Sequence, residues 1–320
     1  QGDFWAAAKL GTRAILTSPN FLYLAEIQSA SMPTNRVSDH ELATRLSYFL
    51  WSSMPDRELR ALADRGELKN PEVLRQQVER MLSNQRTGAF VKNFVGQWLG
   101  LRKLGEMPPD PETNRAYYED NLEDAMRQET HLFFRHILQE NRSLSEFIDS
   151  DYTFLNPALA RHYGIPAATE DTFRKVKLSP DSHRGGLLGQ ASILTATSNG
   201  VESQPVVRGV WVLENLLGTP PSPPPPDIDP LEPDTRGVST IRQLMEKHRN
   251  NPTCYECHRK IDPLGLAMEN YDHVGLWRDR YAKRLPIDAS AALADGTIIE
   301  GPEGIKEVLK QHPEKFNKCL

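Results

Sequence analysis

Apolar positions recur at intervals of three and four along most of this chain, so the hydrophobic pattern predicts helix after helix. The first covers Phe4 to about Ser18 and is broken at Pro19 and Asn20, ahead of the apolar run Phe21 to Leu24. Ser38 and Glu41 form the spacing of a capping box, and Leu42, Leu46, Phe49 and Leu50 follow on one face up to Pro55. A short helix is expected over Arg57 to Arg65, closed by Gly66, and another after Asn70-Pro71 carrying Val73, Leu74, Val78, Met81 and Leu82. Thr87 to Leu99 repeats the pattern with Phe90, Val91, Phe94, Val95 and Trp98. A single long helix is predicted from about Tyr117 to Leu138.

The second half is more broken. Ser143 and Glu146 have capping-box spacing, Asn156-Pro157 starts a short helix that Gly164 ends, and Phe173 to Leu178 alternates as a strand does. After Ser182-His183-Arg184-Gly185-Gly186 an apolar segment runs to Leu194, then a polar loop spans Thr195 to Gln204. Pro205 to Leu217 reads as a helix stopped by Gly218. Thr219 to Asp234 is so rich in proline that extended polyproline II is expected, as a linker or, less simply, as a ligand for a proline-recognising partner. Ser239 to His248 is helical in pattern, Asp262-Pro263-Leu264-Gly265 has the composition of a turn, and Pro286 to Glu300 suggests a hairpin around Asp295-Gly296. Gly304 to His312 is a last helix. The fold class is therefore mainly α. The expected organisation is a helical scaffold over 1–218, a proline-rich linker over 219–234 and a small third domain over 235–320, with packing of all three as one body left open.

Composition adds limits. A chain of 320 residues, 38% hydrophobic and 25% charged, is that of a globular protein with one large or two ordinary cores. A formal charge of −5 without basic runs argues against nucleic acid as a partner. No apolar run reaches the roughly 18 residues of a membrane span. The first residues, Gln1-Gly2-Asp3-Phe4-Trp5, show neither an initiator methionine nor a signal-peptide pattern, so a processed or trimmed chain is expected.

The chemistry concentrates at Cys254-Tyr255-Glu256-Cys257-His258, the Cys-x-x-Cys-His signature of covalent haem attachment. Two thiols add to the vinyl groups of a porphyrin, and the adjacent histidine then reaches the iron from the proximal side. One covalent haem c is thus expected, with Cys254 and Cys257 as attachments and His258 as proximal ligand. Because such attachment ordinarily follows export, a removed signal peptide and a periplasmic, cell-surface or extracellular location go with it. Zinc is the competing cofactor, with Cys319 or a further histidine as fourth ligand, although no second Cys-x-x-Cys pair is present. A thioredoxin-like pair would need an α/β alternation that the flanks lack. Cys319 otherwise reads as a small buried hydrophobe in a terminal helix.

The order of landmarks resembles a family of exported multidomain proteins, abundant in planctomycetes, with cytochrome-c-like domains of no settled activity. The resemblance rests on Ser18-Pro19-Asn20-Phe21-Leu22, Leu42 to Trp51, Asp151 to Asn156, His183 to Leu188, Arg208-Gly209 with Glu214 to Gly218, and the haem motif. It continues through Asp262 to Gly265, Glu269 to Asp272, Gly275 to Arg278 and Pro286 to Ala289, and so covers almost the whole chain. It implies an exported, mainly helical haem c protein, with 235–320 as its cytochrome-c-like haem-binding domain, and relatives that continue past the position of Leu320; a redox partner protein is expected with an electron-transfer role.

The sixth ligand decides the function. Methionine or histidine there makes an electron carrier, and an open position lets the iron bind peroxide or oxygen. Met268 and His183 are the candidates, with Met245 more distant and His248 and His273 read as surface residues. His131 and His136, five apart, do not share a helix face as a metal pair would. Arg208, Trp277 and Arg278 are candidate partners of the haem propionates, surface ion pairs being the alternative for the arginines. Asp262 is placed to accept a hydrogen bond from the His258 imidazole. Three functions follow: electron transfer, a haem-dependent peroxidase or oxidase, and a zinc-stabilised interaction module. The large helical region before Gly200 motivates the second.

Overall fold

The computed structural model describes residues 3–23, 37–166, 171–222, 240–249, 252–281 and 285–320; the side chains of residues 20, 247–249 and 252–254 are outside the description. It is mainly helical, with two small antiparallel hairpins. Two compact units form, Gln1–Phe90 and Val91–Leu320.

In the first unit α1 (Phe4–Leu16) and α2 (Pro19–Leu22) precede α3 (Asp39–Trp51), α4 (Arg57–Asp64) and α5 (Pro71–Leu82). Both halves of the expected capping box form at α3: the Ser38 N–H donates to Glu41 Oε2 at 2.7 Å, and the Glu41 N–H to Ser38 Oγ at 3.2 Å. Two orphan donors at the helix start are thereby satisfied. Trp51, buried at the other end of α3, donates its indole N–H to the Met81 carbonyl.

The unit boundary falls within α6 (Gly88–Trp98). The second unit continues with α7 (Arg115–Glu119), α8 (Leu122–Gln139), β1 (Tyr152–Leu155), α9 (Pro157–Tyr163), β2 (Arg174–Lys177) and α10 (Ala191–Ala196). The single helix predicted from Tyr117 to Leu138 is two helices, because Asn121 takes a left-handed φ of 48° between them. Asparagine tolerates that conformation through its short polar side chain, and apolar periodicity on either side hides the break. At Ser143 the capping box does not close: Ser143 Oγ takes the Ser145 N–H, while Glu146 pairs with Arg142 and Tyr152. The strand expected near Phe173 is β2. It pairs antiparallel with β1, Tyr152 opposite Lys177.

Around α8 the core holds Met126, Phe133, Phe134 and Ile137, with Phe147 and Trp98 edge-on to neighbouring rings. His136 meets Lys175 Nζ at 2.9 Å at the edge of this core. Within it lies a carboxylate, Glu129, which accepts from Thr153 Oγ1 at 2.6 Å and from the Tyr163 hydroxyl at 2.5 Å. Desolvation is the largest influence on this group and pushes its pKa up to about 7. The unfolded chain then ionises before the folded one. Glu129 costs nothing below its unfolded pKa near 4.5, and stability falls by about 3 kcal/mol as the pH rises from there to 7. Denaturant titrations of the wild type and Glu129→Gln across pH 4 to 8 should show that fall in the wild type alone. Equal pH dependence in both would contradict it.

The chain closes with α11 (Pro205–Asn215), α12 (Ile241–Arg249), α13 (Pro252–Leu266), the hairpin β3 (Ser290–Ala292) and β4 (Ile298–Glu300), α14 (Gly301–Gln311) and α15 (Pro313–Cys319). From residue 223 the expected polyproline II stretch is outside the described residues. Lys306 of α14, 2% exposed, bonds Asp149 at 3.2 Å and Glu303 at 2.8 Å, and so holds the last helices against the start of β1.

Candidate functional site

The Cys-x-x-Cys-His sequence lies on α13. Pro252 opens this helix at the first position, where its missing N–H costs nothing and its fixed φ suits a helix. Helical spacing puts positions 254, 257 and 258 on one face, since i, i+3 and i+4 are neighbours. The Cys254 side chain is outside the described residues. Cys257 is half-buried and lines a cleft of about 240 Å³ together with Leu213, Pro220, Pro221, Glu256 and Lys260.

The turn expected at Asp262-Pro263-Leu264-Gly265 is not a turn; α13 runs through it to Leu266. Pro263 removes one backbone donor from the helix, a cost of about 3 kcal/mol in an isolated helix. Tertiary packing outweighs it. Ile261, Leu264, Leu266 and Ala267 are all buried, and α11 lies so close that a Cβ on Gly209 would overlap the Ile261 carbonyl. A Cβ on Gly265 would likewise overlap the carbonyl of Pro205. Backbone therefore meets backbone at both glycines.

Continuation of the helix sets up the contact expected between His258 and Asp262. One turn apart, they meet with His258 Nδ1 donating to Asp262 Oδ1 at 2.8 Å; the imidazole is 15% exposed and the carboxylate fully buried. A bond at Nδ1 fixes the ring orientation and assigns Nε2 as the nitrogen that would reach a metal.

The other predicted residues take different places. Arg208 is fully buried on α11. Its Nη1 donates to the carbonyls of Met268 at 3.0 Å and Tyr271 at 2.6 Å, and its Nη2 to the Asp272 carbonyl at 2.6 Å, Ser198 Oγ at 3.2 Å and the Leu194 carbonyl at 3.3 Å. Burial lowers its pKa to about 10, which leaves it cationic at neutral pH. Its guanidinium is thus engaged with the protein's own backbone. Met268 is fully buried beneath it. Arg278 donates to the Glu269 carbonyl and carboxylate and to Ser203 Oγ. Glu269 also receives the Tyr281 hydroxyl, whose own pKa burial pushes upward.

His183 has a left-handed φ of 54° and lies exposed, its ring stacked on that of Trp277 at 3.8 Å and 5°. Its carbonyl accepts from the Tyr271 hydroxyl, and Trp277 donates to Asp279. None of these contacts involves His258. Met245 is buried, and His273 is half-buried rather than at the surface, burial lowering its pKa. The side chain of His248 is outside the described residues. Cys319, at the end of α15, is half-buried and directs its thiol to the Glu214 carbonyl at 3.1 Å. Among the described residues no group of three or more His, Cys, Asp or Glu side chains is arranged to hold a metal ion. The sequence reading missed Lys260, a cation on the rim of the Cys257 cleft; its place at i+3 from Cys257 was the available signal.

Residues 37–165 match PSD4, a protein family of unknown function (DUF1592), and residues 184–281 match PSCyt3, likewise of unknown function (DUF1588). The two matches lie in tandem along the chain, and these families are typical of planctomycete cytochrome-c-like proteins. The second match spans Cys254 to His258. No curated protein and no solved structure matches the chain. Among the described residues no helix is long and apolar enough to cross a membrane.

Proposed function

We propose that this chain is an exported c-type haem protein that transfers electrons, in which Cys254 and Cys257 would hold one haem covalently and His258 would bind its iron. The observation that supports this best is the placement of positions 254, 257 and 258 on one face of a helix packed flush against α11, with Cys257 lining a cleft. The donor set fits the group: thiols suit thioether formation, and an imidazole held by its Nδ1 suits iron. At about 240 Å³ the cleft is smaller than the roughly 300–1,000 Å³ common for small-molecule sites, so the fit rests on the donors and not on volume.

When bound, haem supplies a one-electron couple. The chain's own residues do the rest. Close packing against α11 keeps the helix that carries positions 254, 257 and 258 in fixed register, and Asp262 holds the ring orientation of His258. Lys260 offers a cation for a propionate at the rim. Arg208 and Arg278 are engaged elsewhere, so their expected part in binding propionates is indirect, through the shape of the turn after α13. Partners in this reading are a redox protein outside the membrane, and the location is the periplasm or cell surface.

A haem-dependent peroxidase or oxidase is the second reading. What favours it is the buried carboxylate behind His258, since a strongly donating axial ligand suits chemistry on a bound oxidant. Exported protein made with the haem-attachment machinery should give a pyridine haemochrome spectrum of thioether-linked haem, lost when Cys254 and Cys257 are both replaced by alanine. Mature exported protein without covalent haem would overturn both readings. Carbon monoxide or cyanide separates them: a fast Soret shift belongs to the enzyme, and an unresponsive spectrum to the carrier.

A further inference from the structure

The partner of His258 has a property that orientation alone does not require. A hydrogen bond to a backbone carbonyl or to water would fix the ring equally well. Asp262 instead offers a carboxylate with no exposed surface, in a helix flanked by Ile261 and Leu264 and covered by the flush contact with α11. In such surroundings the local dielectric is low and a charged acceptor acts far more strongly than in water. Charge-assisted hydrogen bonds of this kind are roughly twice as strong as neutral ones.

We propose that Asp262 is a positioning residue that sets the electron affinity of an iron bound by His258, holding it in the low-potential range for its ligand set. The inference rests on the haem reading above. The carboxylate draws the Nδ1 proton of His258 towards itself and moves electron density through the ring to Nε2. A more electron-rich nitrogen stabilises ferric iron over ferrous, because the ferric ion carries the larger charge. Hydrogen bonding behind an axial ligand is one of the few levers by which a protein tunes haem. The i, i+4 spacing makes the pair part of the attachment helix itself. The pair keeps its spacing as long as α13 is helical, and α13 cannot shift without breaking the backbone contacts at Gly209 and Gly265.

The test compares haem-loaded wild type with Asp262→Asn and Asp262→Glu by potentiometric titration. The expected result is an Asn variant that binds haem and favours reduction tenfold or more over wild type, which for one electron is about 59 mV upward. The Glu variant should return towards the wild-type value. A structural role alone would change yield or melting and leave the potential in place. Should both variants fail to fold, the proton spectrum of the ferric wild type decides: the ring N–H of His258 must exchange with deuterium over hours, as a buried charge-assisted bond requires, and exchange within seconds overturns the proposal. Covalent haem with an unchanged potential in the Asn variant overturns this inference alone. Absence of covalent haem from the wild type overturns the haem reading and this inference with it.

Discussion

Adding a single methyl group at Gly209 or Gly265 should destabilise the second unit by about 3 kcal/mol or more, at the upper end of what overpacking a well-fitted interface costs. The methyl has nowhere to go. At Gly209 it meets the carbonyl of Ile261, and at Gly265 the carbonyl of Pro205, both backbone atoms inside helices and unable to swing aside as a side chain would. Relief requires α11 and α13 to move apart, which also lifts Val212 and Leu264 from their buried positions. Urea denaturation of Gly209→Ala and Gly265→Ala, with Gly88→Ala as control, measures the effect. Nothing lies within 4 Å of a Cβ at Gly88, so the control should be neutral or slightly stabilising. Wild-type midpoints for both interface variants would show that the helices are not in backbone contact.

Removal of the Arg208 side chain is expected to be comparably damaging, about 3 kcal/mol or more for Arg208→Ala. Five hydrogen bonds disappear together; the Leu194, Met268 and Asp272 carbonyls keep Ser198 Oγ, the Tyr271 N–H and the Gly275 N–H as donors, so the loss falls hardest on the Tyr271 carbonyl. Each buried polar group left unsatisfied costs about 1–3 kcal/mol, softened where water enters the gap. Arg208→Lys should recover less than half of the loss, because an ammonium lacks the planar fork that reaches both the turn after α13 and the end of α10. Chemical denaturation with near-ultraviolet circular dichroism, which follows the packing of Tyr271 and Trp277, gives both numbers. A lysine variant as stable as wild type would show that charge, and not the fork, is what the site needs.

These two expectations also mark where the sequence stopped being informative. The helices of the first unit were legible because their signals are local: Ser38 and Glu41 satisfy each other's backbone, and Asn70-Pro71 starts α5 by its own chemistry. The turn chemistry of Asp262-Pro263-Leu264-Gly265 was equally local and misleading, since contact with α11, some fifty residues earlier, keeps the segment helical. Asn121 breaks a helix with one dihedral angle that periodicity cannot register. β1 escaped notice because four residues carry too little alternation, and only its pairing with β2 defines it. At the site, the spacing of Cys254, Cys257 and His258 was plain. The role of Arg208 was not, because its partners are main-chain oxygens and the oxygens of any residues would serve.

Lys306 carries a different kind of information. An ammonium 2% exposed and bonded to both Asp149 and Glu303 is out of reach of reagents dissolved in the surrounding water. Its reactivity towards acylating agents is governed by how often α14 lifts from the segment before β1, and not by collision at the surface. The lysine therefore records, in covalent form, the opening frequency of the last helices of the chain.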